Sequence, residues 1–186
     1  GGGSGIGAAT AERIAEQGAS VMITDINGSA AEQTARVIQQ RGQAAQALAQ
    51  DVADPDAWAK VFTETAKAFG PVNVLVNNAG VSGAGLDRFE EPEGLDAWRQ
   101  IMSINLDAVN LGCRIAIQEM KVSGGTIVNI SSVMGLVGGA GPAYNASKGG
   151  VRLLTKSIAS YCGRMGYPIR CNSVHPGYIW TPMVRQ

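Results

Sequence analysis

Short β-branched runs alternate with longer helical stretches along the chain, and that alternation restricts the possible folds severely. Ser20–Asp25, Ala45–Asp51, Val72–Val76, Thr126–Ile130 and Ile169–Val174 read as strands. Ile6–Gln17 and Ala30–Gln40 read as helices closed by Gly18 and Gly42. Asp54-Pro55-Asp56 is a helix start, with an Asp cap, Pro at the first position and an acid behind it. Trp58, Val61, Phe62, Thr65 and Phe69 follow at helical spacing, and Trp98–Met120 and Tyr144–Arg164 are further helices. Strands joined through helices lie parallel, so the pattern predicts a doubly wound α/β sheet with helices on both faces. The segments after Asp25, Asp51, Val76, Ile130 and Val174 are the carboxyl ends of those strands, where such sheets bind ligands. No repeat, linker or low-complexity tract divides the chain, so residues 1–186 read as one domain.

Composition excludes several classes of function. Hydrophobic residues make up 45% and charged residues 16%, which rules out a disordered polyelectrolyte. Fifteen basic and fifteen acidic side chains balance, with no Lys/Arg block, so no nucleic-acid partner is expected. No apolar run approaches the roughly 20 residues of a membrane span, and no signal peptide is visible behind Gly1. Cys113, Cys162 and Cys171 are odd in number and widely spaced. They predict buried thiols in a reducing, cytoplasmic setting. With no Cys-x-x-Cys pair and His175 alone, no metal site is expected. The 25 glycines gather at Gly1–Gly7, Gly80–Gly85, Gly124–Gly125 and Gly135–Gly141, which marks tight turns or close backbone approach.

Gly1-Gly2-Gly3-Ser4-Gly5-Ile6-Gly7 runs straight into a helix. Glycines let backbone N–H groups approach a pyrophosphate, and a helix N-terminus favours its charge. A flexible end gives the same composition. Asp25, however, ends the next strand at the distance where a dinucleotide's adenosine ribose is read. Its carboxylate suits the ribose hydroxyls and would repel a 2′-phosphate, so NAD is expected over NADP. Asp25 as a cap for the following helix is a compatible second reading. Together these features make the sheet Rossmann-type.

Tyr144 and Lys148 stand one turn apart on one helix face. A nearby cation favours phenolate, which suits a tyrosine to proton exchange with an alcohol. The pair alone is common on surface helices. Here Ser131-Ser132 closes one strand, Asn77-Asn78-Ala79-Gly80 closes another, and Ile104-Asn105-Leu106 interrupts an apolar helix. With these motifs in this order the chain resembles the short-chain dehydrogenase/reductase family over essentially its whole length. Gly1-x-x-x-Gly5-x-Gly7 matches the family's cofactor loop, without the usual preceding Thr, and Asp51-Val52 matches the adenine-contacting pair. Asn78-Ala79-Gly80 matches the strand-end motif that supports the cofactor. Asn105, Ser132, Tyr144 and Lys148 match the catalytic tetrad, and Pro176-Gly177 with Thr181 matches the nicotinamide-side turn.

The resemblance implies hydride transfer between NAD(H) and an alcohol or ketone. Tyr144 would be the general acid/base and Ser132 would orient the substrate oxygen. Lys148 would bind ribose and ease ionisation of Tyr144, and Asn105 would hold a water in a proton relay. Ser4, Ile6, Ile26 and Ile179 join Gly1, Gly5, Gly7, Asp25, Asp51, Val52, Asn78, Ala79, Gly80, Tyr144, Lys148, Pro176, Gly177 and Thr181 as expected cofactor contacts. Ser132 is preferred to Ser131 because strand side chains alternate and the family spacing favours the second serine. His175 reads as structural rather than as a proton shuttle. Met134, Leu136 and Val137 either line an apolar pocket or pack a loop, while Tyr178 or Trp180 could touch substrate.

Within the family the chain looks most like secondary-alcohol and hydroxysteroid dehydrogenases. No Arg or Lys stands near Ser132 in sequence, so a neutral small-molecule substrate is expected. An acyl-chain or sugar ketoreductase on the same scaffold, or a non-catalytic NAD-binding protein, are the alternatives. Family members pair, commonly as tetramers or dimers, through the helices around Trp98–Met120 and Tyr144–Arg164. The strand that would feed Gly1, and the helices and last strand expected after Met183, are absent from the 186 residues. The resemblance therefore predicts a portion of a longer enzyme, with the first strand and C-terminal segment missing.

Overall fold

The structure is a computed structural model, and it describes residues 1–83, 90 and 94–185. Gly85 of the second glycine cluster lies outside the described residues. The chain forms two compact units, residues 1–70 with 179–186, and residues 71–178.

The first unit contains α1 (Gly5–Glu16), β1 (Val21–Asp25), α2 (Gly28–Gln40), β2 (Ala45–Ala49) and α3 (Pro55–Phe69). β1 and β2 pair in parallel, with Val21 opposite Ala45 and Asp25 opposite Ala49. Gly18 and Gly42 sit at φ +90 and +79° just past α1 and α2, the left-handed turn that sequence reading expects of them. The core is built from small residues: Ala11, Ala15, Ala31, Ala35 and Ala45 pack around Ile23 and Ile38. Such short side chains let helix backbones come close to the sheet. On α3 the Asp54 carboxylate accepts from Asp56 N at 2.9 Å, and Pro55 stands at the first turn. Trp58, Val61 and Phe62 form its buried stripe. β2 stops at Ala49, two residues short of the expected end. Asp51 turns the chain instead, by accepting from Ala53 N at 2.9 Å.

The second unit contains β3 (Val74–Asn77), α4 (Gly94–Met102), a π-turn (Ser103–Asp107), α5 (Ala108–Met120), β4 (Gly125–Ile130), a 3₁₀ turn (Val133–Gly135), α6 (Pro142–Met165) and β5 (Ile169–Val174). The three strands are parallel in the order β3-β4-β5. Asn77 stands opposite Asn129, and Ile130 opposite Val174. β3 begins at Val74 rather than Val72 and runs on to Asn77, whose side chain is buried. α5 and α6 cover one face of this sheet. Cys113 of α5 and Thr155 of α6 both meet Asn129 there. The apolar core includes Ile101, Met120, Ile127, Val151 and Cys162, each at most 2% exposed. Cys113, Cys162 and Cys171 are all buried free thiols.

The long helix expected over Trp98–Met120 is interrupted at Asn105 by the π-turn. A π-turn takes in one extra residue and shifts the register of the side chains after it. Among the described residues, no helix is long and apolar enough to cross a membrane.

Candidate active site

In the first unit the glycine loop lies against the end of β1. Gly2 N donates to Thr24 O at 2.8 Å, and a Cβ on Gly2 would stand 2.7 Å from Ile23 Cγ2. A Cβ on Gly3 would stand 2.7 Å from Ala30 Cβ. Only glycine permits this approach at either position. Gly5 opens α1 at φ +52°, with Thr181 3.3 Å from where its Cβ would be. The Ser4 side chain makes no cap hydrogen bond to the first turn of α1.

Asp25 closes the loop from the side. Its Oδ2 accepts from Gly3 N at 3.0 Å and its Oδ1 from Asn27 N at 2.9 Å. Partial burial opposes ionisation, but the Asn27 and Gly3 amides together with the Gly1 ammonium, 3.3 Å from Oδ2, outweigh it and hold the carboxyl below its ordinary range. The cap of α2 is Asn27, which accepts from Ala30 N at 3.2 Å, and not Asp25. Val52 is anchored by its carbonyl, which accepts from Trp58 Nε1 at 2.9 Å. Ile26 is 74% exposed. A backbone-lined loop at a helix N-terminus with an ionised carboxylate beside it fits the pyrophosphate and ribose of a dinucleotide.

All four members of the expected tetrad lie in the second unit. Asn105 is fully buried, and every polar atom of its side chain has a protein partner. Its Oδ1 accepts from Val81 N at 2.8 Å, and its Nδ2 donates to Val81 O at 2.9 Å and to Ser147 Oγ at 3.2 Å. Ser147 in turn donates to Tyr144 O at 2.8 Å. Gly80 fills the gap between two of these groups: a Cβ there would stand 3.2 Å from Asn105 Oδ1 and 3.4 Å from Lys148 Nζ.

Lys148 is 4% exposed, and its Nζ donates to Ile130 O at 2.9 Å. It also sits 5.8 Å from the centre of the Tyr144 ring. Burial pulls its pKa from an ordinary 10.5 down to about 8. The two serines follow the end of β4, are both buried, and make different bonds. Ser131 turns inward and donates to Lys148 O at 2.8 Å, fixing β4 to α6. Ser132 Oγ accepts from Met134 N at 3.1 Å at the head of the 3₁₀ turn.

Several residues take structural roles that the sequence did not assign to them. Asn145 holds the loop after Ser132 by donating to Met134 O at 2.6 Å and Val137 O at 2.8 Å, and by accepting from Ala140 N at 3.0 Å. It leaves Leu136 and Val137 50% and 60% exposed on that loop. Asn77, Asn129 and Thr155 form a buried chain, with Asn77 Nδ2 2.8 Å from Asn129 Oδ1 and Asn129 Nδ2 3.0 Å from Thr155 Oγ1. The signal was there, since Asn is unusual inside a strand. Its partners, however, lie on other elements. Pro176 O accepts from Val133 N at 3.0 Å, which places the Pro176-Gly177 turn beside the Ser132 loop. Tyr178 and Trp180 are 80% and 73% exposed. Among the described residues no three His, Cys, Asp or Glu side chains gather as a metal site would need.

The chain is 42% identical to the NADP-dependent (R)-specific alcohol dehydrogenase of Lentilactobacillus kefiri, over 99% of this chain and 73% of that protein. It is 42% identical to the cis-4-hydroxycyclohexanecarboxylate dehydrogenase of Sinomonas cyclohexanicum, over 97% of this chain and 72% of that protein. It is 36% identical to the 3-beta-hydroxysteroid dehydrogenase of Comamonas testosteroni, over 100% of this chain and 71% of that protein. A family model described as short chain dehydrogenase matches residues 1–186, and the chain therefore belongs to the short-chain dehydrogenase family of oxidoreductases.

Proposed function

We propose that the protein is an NAD-dependent alcohol dehydrogenase or ketone reductase acting on a neutral secondary alcohol or its ketone. The observation that carries the reading is the placement of the buried Lys148 Nζ 5.8 Å from the Tyr144 ring, with Ser147 joining Asn105 to the Tyr144 carbonyl. Two relatives, one named for alcohol and one for 3-beta-hydroxysteroid dehydrogenation, support the class of substrate, whereas the Sinomonas relative is named for a hydroxy carboxylate. Residues 1–186 are read as one dinucleotide-binding and catalytic domain working in the cytoplasm. A homo-oligomer paired through the faces of α5 and α6 is part of the same reading.

NAD(H), when bound, accepts or supplies the hydride. The glycine loop with Ser4, Ile6 and Gly7 takes the pyrophosphate, and Asp25 with Ile26 takes the adenosine ribose. Asp51 and Val52 flank the adenine. Asn78, Ala79, Gly80, Pro176, Gly177, Ile179 and Thr181 serve the nicotinamide half. Tyr144 exchanges the proton of the substrate oxygen, and Ser132 orients that oxygen by a hydrogen bond. Met134 and Tyr178 face the rest of the substrate. Lys148, held against Ile130 O, binds the nicotinamide ribose and favours the phenolate of Tyr144. Asn105, its side chain held by Val81 and Ser147, holds a water in the proton relay to Lys148.

Asp25 supports NAD over NADP, whereas the Lentilactobacillus relative is named as NADP-dependent. The test is Tyr144→Phe, assayed with NAD and a panel of neutral secondary alcohols beside a charged hydroxy acid. Loss of about 10²–10⁴ in turnover with NAD affinity retained is expected. Retained turnover, or turnover of the charged member alone, would refute the reading.

A further inference from the structure

His175, the single histidine of the chain, follows β5 and faces two fixed partners. Its Nδ1 lies 3.2 Å from the Ser132 main-chain oxygen, and its Nε2 lies 2.9 Å from Ser173 Oγ. A carbonyl oxygen can only accept, so Nδ1 must carry a proton, and in the neutral ring Nε2 must then accept from the Ser173 hydroxyl. Both nitrogens are thereby engaged, and neither partner is a carboxylate that could pass a proton on.

The surrounding backbone shows what the ring does. Parallel pairing of β4 and β5 continues past the strand ends, through Ser131 N to Val174 O at 2.8 Å and Val133 N to Pro176 O at 3.0 Å. Between those two bonds the Ser132 carbonyl turns toward the 3₁₀ turn and accepts from Gly135 N at 2.9 Å. His175 reaches the same carbonyl from the β5 side. It is the side-chain link between the peptide that carries the Ser132 hydroxyl and the Pro176-Gly177 turn.

We propose that His175 is a positioning residue, which fixes the Ser132 peptide by donating its Nδ1–H to the Ser132 carbonyl, with Ser173 holding the ring in that tautomer. The inference rests on the reading of Ser132 as the hydroxyl that orients the substrate oxygen. A hydroxyl displaced by even about 1 Å can cost on the order of 10²-fold in rate, so a weak, distant bond to its peptide can still be felt in turnover.

The experiment joins a spectroscopic readout to a substitution series. Long-range ¹H–¹⁵N NMR, on the imidazole signal that disappears in His175→Asn, should report the Nδ1–H tautomer. The Nε2–H form would overturn the proposal. His175→Phe keeps a planar ring but no donor, and should lower kcat by roughly 10–100-fold with the KM for NAD within about twofold. His175→Asn, whose amide can donate where Nδ1–H stood, should recover most of that loss at a melting temperature equal to that of His175→Phe. Equal kcat in the two variants would overturn the proposal, as would a His175→Phe enzyme with unchanged kcat. The tautomer does not depend on the reaction assigned to the protein, so failure of the functional reading in Tyr144→Phe is told apart from failure here.

Discussion

Lys148 concentrates the energetic conflict of the site in one side chain. It is nearly inaccessible and makes one hydrogen bond to a carbonyl, and burial alone lowers its pKa to about 8. The unfolded chain therefore binds more protons than the folded chain between about pH 8 and 10.5. Folding is penalised below that window, and the penalty fades as pH rises through it. Lys148→Met removes the titration, so the difference in stability between variant and wild type isolates it. Between pH 7 and 10.5 the wild type should gain on the variant by on the order of 2 kcal/mol, measured by urea denaturation. A constant difference across that range would mean that the folded protein holds Lys148 with an unshifted ammonium. Tyr144, Lys148, Ser132 and Asn105 stood out in the sequence through the family motifs that they match. Ser147, Asn145 and Ser131 were not legible in their roles. Each is an ordinary polar residue until its partner, Asn105, the Met134 loop or the Lys148 carbonyl, is brought to it by the fold.

α6, which carries Tyr144 and Lys148, is clasped to its unit at several points. Ser131 bonds to its backbone at Lys148 and Thr155 bonds to Asn129 of β4. Gly135 packs so closely that a Cβ would stand 2.6 Å from Lys148 O and 2.7 Å from Lys148 C. Backbone cannot yield there without moving the helix that holds Lys148. Gly135→Ala should therefore destabilise the protein by about 1–3 kcal/mol and lower kcat as well. Gly163, farther along the same helix, meets nothing within 4 Å. Gly163→Ala should stabilise by up to about 1 kcal/mol through helix propensity and leave kcat unchanged. Chemical denaturation of the two variants checks the pair, and equal effects would show that α6 tolerates displacement at Lys148. The sequence announced α6 over Tyr144–Arg164, two residues short of its start at Pro142, which stands in the first turn. It did not announce the π-turn at Ser103–Asp107, because one extra residue in a turn barely alters an apolar period over so short a span. Asn105 was the only hint.

For the chain as a whole, layered α/β architecture was readable because period-2 and period-3.6 patterns alternate over its full length. Pairing was not, because any two β-branched runs can be neighbours. Hydrogen bonding resolves it into β1-β2 and β3-β4-β5. In the proposed reading cofactor choice is likewise a property of the folded chain, since β1 delivers Asp25 to Gly3. A ligand that binds the folded state alone stabilises it by mass action, about 2.7 kcal/mol at about 100 times its Kd. For a chain of this size that corresponds to a rise of roughly 5–10 °C in melting temperature. NAD should produce this rise, and NADP at the same concentration should produce a much smaller one, because its 2′-phosphate would meet the ionised Asp25. Asp25→Asn keeps an acceptor for the loop amides and removes the charge, so it should narrow the NAD-over-NADP preference by at least roughly tenfold. Equal shifts with both cofactors in the wild type would remove Asp25 from cofactor selection. Equal preference in wild type and Asp25→Asn would instead confine the carboxylate to its bonds with Gly3 and Asn27, making it a clasp for the glycine loop.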